Sequence, residues 1–174
     1  DAVFAYLADI AKGMEWQSEL LEVQQTSDGP VGIGTNLREI RRLLGRNMET
    51  SFTITDFDPE SKLGFKSTSG PIPMRAYYSL ESVSPEGVNQ EGSVDATRVN
   101  MTVEAELTGI FKMTEPLVVH SAKRQMDADI AKLKEILEAG MKILRPNRKG
   151  LYFAIASYIT LQTAKGILLS KLNG

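Results

Sequence analysis

The chain has 174 residues, of which 42% are hydrophobic and 24% charged, as expected for one globular domain with a sizeable core. It has no cysteine and one histidine, which excludes disulfides, thiolate metal sites, cysteine nucleophiles and multi-histidine metal centres. The net charge of −2 is unevenly distributed, because residues 1–141 hold 14 of the 20 basic and all 22 acidic residues, whereas residues 142–174 hold six basic residues and no acidic one.

The first third of the chain is predicted to form a helix followed by a hairpin. Apolar residues in 2–10 recur at helical spacing, and Gly13 ends this helix or separates it from a second short one. The pattern then becomes extended over 20–25 and 35–44, on either side of the turn segment 27–34 (SDGPVGIG). That segment lacks the lysine and the Ser/Thr of a phosphate-binding loop, so we interpret it as a turn.

The middle of the chain is predicted to continue as an antiparallel sheet. Turn residues bound four further extended segments, over 48–57, 63–68, 74–83 and 97–107. The last of these alternates between apolar and polar residues, as half-buried antiparallel strands do. A polar, glycine-containing stretch over 84–95 is predicted to be an exposed loop.

Residues 115–144 are predicted to form one long amphipathic helix. Its apolar stripe comprises Val119, Met126, Ile130, Leu133, Leu137 and Leu144. A meander of strands followed by such a helix buries both apolar faces when the sheet curls around the helix, which predicts an α+β fold. A curved sheet and a cylinder do not fill space completely, so we expect a gap between them where a ligand would bind.

The C-terminal segment is predicted to be a basic linker followed by an amphipathic helix over 151–172. The helix contains too many polar residues for a transmembrane span. Its basic and apolar residues suit an interfacial helix on anionic lipid, and a helix docked on the domain or on a second subunit is an equal alternative. We do not expect a nucleic-acid partner, because the body of the chain is acidic and the basic residues are few.

Six motifs occur in a recognisable order along the chain. They are VFAYLADI (3–10), GPVGIGT (29–35), LLGRNMETSFTITDFDP (43–59), FKSTSGP (65–71), ATRVNMTVE (96–104) and MDADIAKLKEILE (126–138). Together they resemble the bacterial polyketide cyclase/dehydrase family of the START-like (SRPBCC) superfamily.

This resemblance implies a helix-grip domain over 1–144, with 145–174 as an extension. Family members normally have a strand before the first helix; either it lies outside this sequence or another segment fills that sheet edge. The extension is similar in placement and composition to that of the superfamily branch named after carbon monoxide dehydrogenase, whose members are associated with membrane attachment and with binding of a lipophilic molecule.

Strand alternation identifies a set of candidate pocket residues, although each is also consistent with ordinary core packing. They are Trp16, Phe52, Ile54, Phe65, Tyr78, Leu80 and Met101. His120 and Arg124, one helical turn apart, are candidates to orient a ligand carbonyl and to hold a carboxylate, or are surface residues. Adjacent strand residues face opposite sides, so Arg41 or Arg42 must face solvent, and one alternative places Arg38 and Arg42 in a polar pocket wall.

The sequence therefore predicts a protein that binds a hydrophobic small molecule, such as a lipid, quinone or polyketide, as a carrier or sensor. The alternative is a polyketide cyclase or dehydratase that uses the same cavity, but few acid–base residues fall on inward positions. We expect no metal and no cofactor. We expect a cytoplasmic protein that meets a membrane surface or a second subunit, if either, through residues 145–174.

Overall fold

A computed structural model describes residues 2–59, 61–83, 96–144, 155–163 and 166–171 of the chain. The elements are, in chain order, α1 (Ala2–Ala8), a 3-10 turn (Ile10–Lys12), α2 (Gly13–Trp16), β1 (Leu20–Gln25), β2 (Asn36–Leu43), β3 (Arg46–Asp58), β4 (Lys62–Ser69), β5 (Met74–Val83), β6 (Ala96–Glu106), α3 (Gly109–Met113), α4 (Glu115–Leu144), β7 (Ile155–Thr163) and β8 (Gly166–Lys171). The predicted strands and long helix are confirmed, and β5 and α4 have the predicted bounds. The predicted loop over 84–95 and linker over 145–150 lie outside the described residues.

Strands β1 to β6 form an antiparallel meander in which each strand pairs with the next. The register of the ladder shifts once in the β1–β2 pair and twice in the β3–β4 pair. Such bulges bend a strand and increase its twist. The sheet is curved, and its concave face carries the buried apolar side chains.

The concave face and α4 enclose two apolar clusters. The larger one surrounds Leu133 of α4 and includes Ile54, Leu63 and Val99 of the sheet, all of them almost fully buried. The smaller one joins Met126 of α4 to a group contributed by the β4–β5 turn, β6 and the start of α4 (Ile72, Ala105, Leu107 and Val118). The predicted stripe of α4 is buried at Met126, Ile130, Leu133 and Leu137, while Val118 replaces the half-buried Val119.

The predicted C-terminal helix over 151–172 is wrong for the residues that the structure describes there. Strand β7 pairs in parallel with β6, and β8 pairs antiparallel with β7, so the sheet has eight strands. An apolar run of this length does not distinguish helix from strand by periodicity alone, and Ile, Tyr and Thr favour strands. The open edge of β6 supplies the hydrogen-bonding partner, so a segment of this chain does fill that edge of the sheet. The division of the chain at residue 144 stays a prediction.

The described helices also bear on membrane insertion. Within the described ranges, no helix is long and apolar enough to cross a bilayer.

Candidate functional site

A cavity of about 400 Å³ lies between the concave face of the sheet and α4. Its volume is in the range of pockets that bind small molecules. The wall is mostly apolar and contains residues of both core clusters, so the cavity lies between them. The apolar wall residues include Leu37, Phe52, Phe65, Ile72, Met74, Ala76, Met101, Val103 and Met126.

The cavity brings together five of the nine predicted site residues: Trp16, Phe52, Phe65, Tyr78 and Met101. Ile54 and Leu80 also face inward, but they are 1% and 5% exposed and belong to the larger core cluster instead of the cavity wall. Strand alternation identifies the face on which a side chain lies. It does not indicate which inward side chains border the cavity and which are packed in the solid core.

The structure does not place His120 and Arg124 at the cavity, and both are exposed on α4. The positions of α4 that face the cavity are Ser121, Ala122, Gln125, Met126 and Asp129. Because each residue turns a helix by about 100°, positions 120 and 124 lie on the far side of α4 from this face. Their predicted role as ligand contacts is therefore not supported by their position.

A polar cluster interrupts the apolar wall at the end formed by α2, β2 and α4, and its centre is Arg41. Its guanidinium donates from Nε to Glu39 Oε2 at 2.7 Å and from Nη2 to Gln17 Oε1. Glu19 also lines the cavity, and its Oε2 is buried without a hydrogen-bond partner among the described residues.

The alternative in which Arg38 and Arg42 form a polar pocket wall is wrong for Arg38, whereas Arg42 does border the cavity. Arg38 lies on the outer face, where its guanidinium pairs with Glu22 and Glu49, both at 2.6 Å. Arg42 is exposed, and its backbone amide donates to Glu19. The buried Leu37 fixes the phase of β2, because every second residue from it faces the cavity, and this places Arg41 inside.

Arg41 is enclosed by protein but faces open space inside the cavity. Burial by itself would lower the pKa of Arg41, but the Glu39 carboxylate raises the pKa above the ordinary value for arginine. The side chain nevertheless retains 37% of its accessible surface, because it lines the cavity wall. Arg41 is thus a permanent cation with accessible donors in a cavity whose wall is mostly apolar.

Asp129 fixes α4 to the segment that precedes β1. Its side chain is 8% exposed, and its Oδ1 accepts hydrogen bonds from the Ser18 amide at 3.0 Å, the Ser18 hydroxyl at 2.9 Å and the Gln125 side-chain amide at 2.9 Å. A carboxylate that accepts several donors at once is a strong local connection.

Tyr78 presents its hydroxyl to the cavity. Its ring packs edge-on against Trp16 and Phe65, with ring centres 6.2 and 6.3 Å apart. Burial raises the pKa of Tyr78, and the opposing effect of Arg41 does not cancel the rise, so the phenol is a neutral donor. Its hydroxyl makes no hydrogen bond to any described residue and is not sealed from the cavity.

The site also lacks an arrangement suited to a metal ion. In the part of the chain that the structure describes, no three acidic or histidine side chains are grouped as metal ligands would be.

Comparison with known proteins gives one positive finding. A family model described as "Polyketide cyclase / dehydrase and lipid transport" matches residues 1–138, which is well over half of the chain. No curated protein matches the chain significantly. The matched residues include every described residue of the cavity wall.

Proposed function

The chain belongs to the polyketide cyclase/dehydrase and lipid transport family, and from this premise we propose that it carries or senses a hydrophobic small molecule bound between the sheet and α4. The observation that supports this most directly is the cavity of about 400 Å³ with its mainly apolar wall. Its ligand would be a lipid, a quinone or a polyketide-like molecule.

The size of the cavity argues against its being an ordinary packing defect. Protein interiors are close-packed, and empty apolar space costs about 24 cal/mol per Å³. A dry cavity of about 400 Å³ would therefore cost on the order of 10 kcal/mol, comparable to the whole stability of a typical domain. The cavity is therefore filled by water or by a ligand, and an apolar ligand gains free energy when it replaces that water.

The single tryptophan provides the assay for this proposal. Trp16 lies in the cavity wall and is 2% exposed, so its fluorescence should change when a ligand enters. We expect native mass spectrometry of the protein, exposed to a lipid extract and then purified, to show a bound molecule. A protein that stays empty, with unchanged Trp16 fluorescence, would contradict the proposal.

Two alanines of α4 provide a matched pair of variants. Ala122 faces the cavity, whereas Ala128 is exposed on the same helix. We expect Ala122→Phe to fill the cavity and remove most of the binding, and Ala128→Phe to bind as the wild type does. Equal binding by both variants would place the ligand elsewhere.

The second candidate is a cyclase or dehydratase that uses the same cavity. Its supporting observation is the polar cluster, because Glu39, Arg41, Tyr78 and Asp129 all line the cavity. The sequence alone predicts few such groups on inward positions, and it favours a carrier partly for that reason. A poly-β-ketone thioester incubated with the protein should be recovered unchanged from a carrier and cyclised or dehydrated by an enzyme.

For the C-terminal segment, we propose a role in completing the sheet rather than in membrane attachment. The proposal of an interfacial helix depended on helical structure, whereas β7 pairs along eight residues of β6. We expect the full chain to remain with the soluble fraction when floated with anionic vesicles, as it does with neutral ones. Recovery with the anionic vesicles alone would restore the membrane alternative. The cytoplasmic location stays a prediction.

A further inference from the structure

We propose that Arg41 and Tyr78 together bind a neutral oxygen atom of the ligand, as in a ketone, ester or alcohol, and that the carboxylates around them exclude fatty acids. This deepens the proposed function and rests on it, since it states the chemistry of the ligand for the same cavity. One functional group, a neutral oxygen, would thus decide which lipophilic molecules bind.

Arg41 and Tyr78 are the two donors with unused capacity at the polar end of the cavity. Arg41 donates from Nε to Glu39 and from Nη2 to Gln17, while its Nη1 has no hydrogen-bond partner among the described side chains and backbone. The Tyr78 hydroxyl is likewise unpaired there and reaches open space. The two side chains come from β2 and β5 and line the same cavity. An acceptor atom between them would receive hydrogen bonds from both.

The surroundings of this donor pair limit the rest of the ligand to an apolar body. Trp16 and Phe65 flank the Tyr78 ring, and the wall beyond them consists of aliphatic, methionine and phenylalanine side chains. Burying further polar groups against such a wall without partners costs free energy. A molecule with oxygen at one end and hydrocarbon along the rest therefore matches the cavity.

The charges around the donors select a neutral oxygen over a carboxylate. The ionisable side chains of the wall, besides Tyr78, are Glu19, Glu39, Asp129, Arg41 and Arg42. Arg42 is exposed, and the charge of Arg41 is already compensated by Glu39 at 2.7 Å. A ligand carboxylate would therefore approach a wall in which the carboxylates of Glu19, Glu39 and Asp129 outnumber the two guanidinium groups, of which only the solvent-exposed one of Arg42 is not paired with a carboxylate among the described residues. Like charges brought together in a poorly solvated site are strongly unfavourable, whereas a neutral oxygen accepts the same hydrogen bonds without this repulsion.

The test compares two ligands of equal chain length, undecan-2-one and undecanoate, by isothermal titration calorimetry at neutral pH. We expect undecan-2-one to bind the wild type at least about tenfold more tightly. Tyr78→Phe should weaken binding of the ketone about three- to tenfold, the effect of one lost hydrogen bond. Tyr77→Phe is the matched control, because Tyr77 is the adjacent residue of β5 and its ring lies under Lys62 Nζ at 5.2 Å, away from the cavity.

A second pair of variants tests the role of charge directly. Glu39→Gln frees the guanidinium of Arg41 and should increase the affinity for undecanoate about tenfold or more. Glu49→Gln removes the equivalent partner of Arg38 on the outer face and should leave both affinities unchanged. Each variant is checked for folding by its thermal melt.

The outcomes separate this inference from the function on which it rests. Binding of undecanoate as tight as that of the ketone, or an unchanged ketone affinity in Tyr78→Phe, overturns the inference and leaves a hydrophobic ligand in the cavity. If neither ligand binds and the Trp16 fluorescence stays constant with lipid extract, both are overturned.

Discussion

Replacement of Asp129 by alanine should destabilise the fold far more than a typical substitution on α4. Asp129 is 8% exposed, and its Oδ1 accepts from the Ser18 amide and hydroxyl and from Gln125 at 2.9 to 3.0 Å. Asp129→Ala leaves the Ser18 amide without its acceptor inside the protein, whereas the Gln125 side-chain amide loses one of two acceptors and still donates to the Ser18 hydroxyl. An unsatisfied donor of this kind costs about 1–3 kcal/mol. The Ser18 hydroxyl contributes less, because Ser18 is exposed and its hydroxyl can bind water.

Together these terms predict a loss of roughly 2–4 kcal/mol in the free energy of unfolding for Asp129→Ala. Asp129→Asn retains one carbonyl acceptor and should lose less than half of that amount. The measurement is urea unfolding followed by circular dichroism, with the slope checked for a single transition. Asp127→Ala is the control, because Asp127 is exposed on the same helix and its substitution should change stability by no more than about 0.5 kcal/mol.

Two results would refute the reasoning about Asp129. A loss below about 0.5 kcal/mol for Asp129→Ala would mean that the carboxylate does not connect α4 to the segment before β1. Equal losses for Asp127→Ala and Asp129→Ala would assign the effect to the net charge or the helix propensity of α4, and not to the buried hydrogen bonds.

Two further predictions concern Tyr78 and a turn glycine. Burial raises the pKa of Tyr78, so the folded protein holds the phenol proton more tightly than the unfolded chain does. The free energy of unfolding is therefore highest below the unfolded tyrosine pKa of about 10. Above that pH it falls by up to about 1.4 kcal/mol per pH unit. Urea unfolding at increasing alkaline pH should show this decline, and Tyr78→Phe should show a shallower one; identical slopes would be inconsistent with a buried phenol. Gly70 has φ +128°, and a Cβ there would lie 2.9 Å from Thr50 Oγ1, so Gly70→Ala should cost about 1–3 kcal/mol. Gly45→Ala has open space around its Cβ and should cost less in the same unfolding assay, so a larger loss at Gly45 would contradict the contact argument.

Local patterns in the sequence predicted most of the secondary structure because they depend on near neighbours. The alternation in 74–83 and the helical stripe of 115–144 predicted β5 and α4 with their bounds. The same patterns identified the concave face, since five predicted residues line the cavity. The family resemblance is confirmed by the match over residues 1–138.

The positions that sequence reasoning missed depend on contacts between distant parts of the chain. Asp129 looks like a polar interruption of the α4 stripe, and its partner Ser18 is 111 residues away. The inward phase of β2, and with it the position of Arg41, follows from pairing with β1 and β3. No local signal distinguishes Arg41 from Arg42.

The sequence by itself thus determined the order of the elements and the faces that they bury, because periodicity is a property of consecutive residues. Only the tertiary structure decided that Phe52 lines a cavity while Ile54 closes the core, since depth depends on what packs opposite. It also decided that residues 155–163 form a strand. The periodicity of a short apolar segment is consistent with either a helix or a strand, and here the open edge of β6 provides backbone hydrogen-bonding partners for a strand.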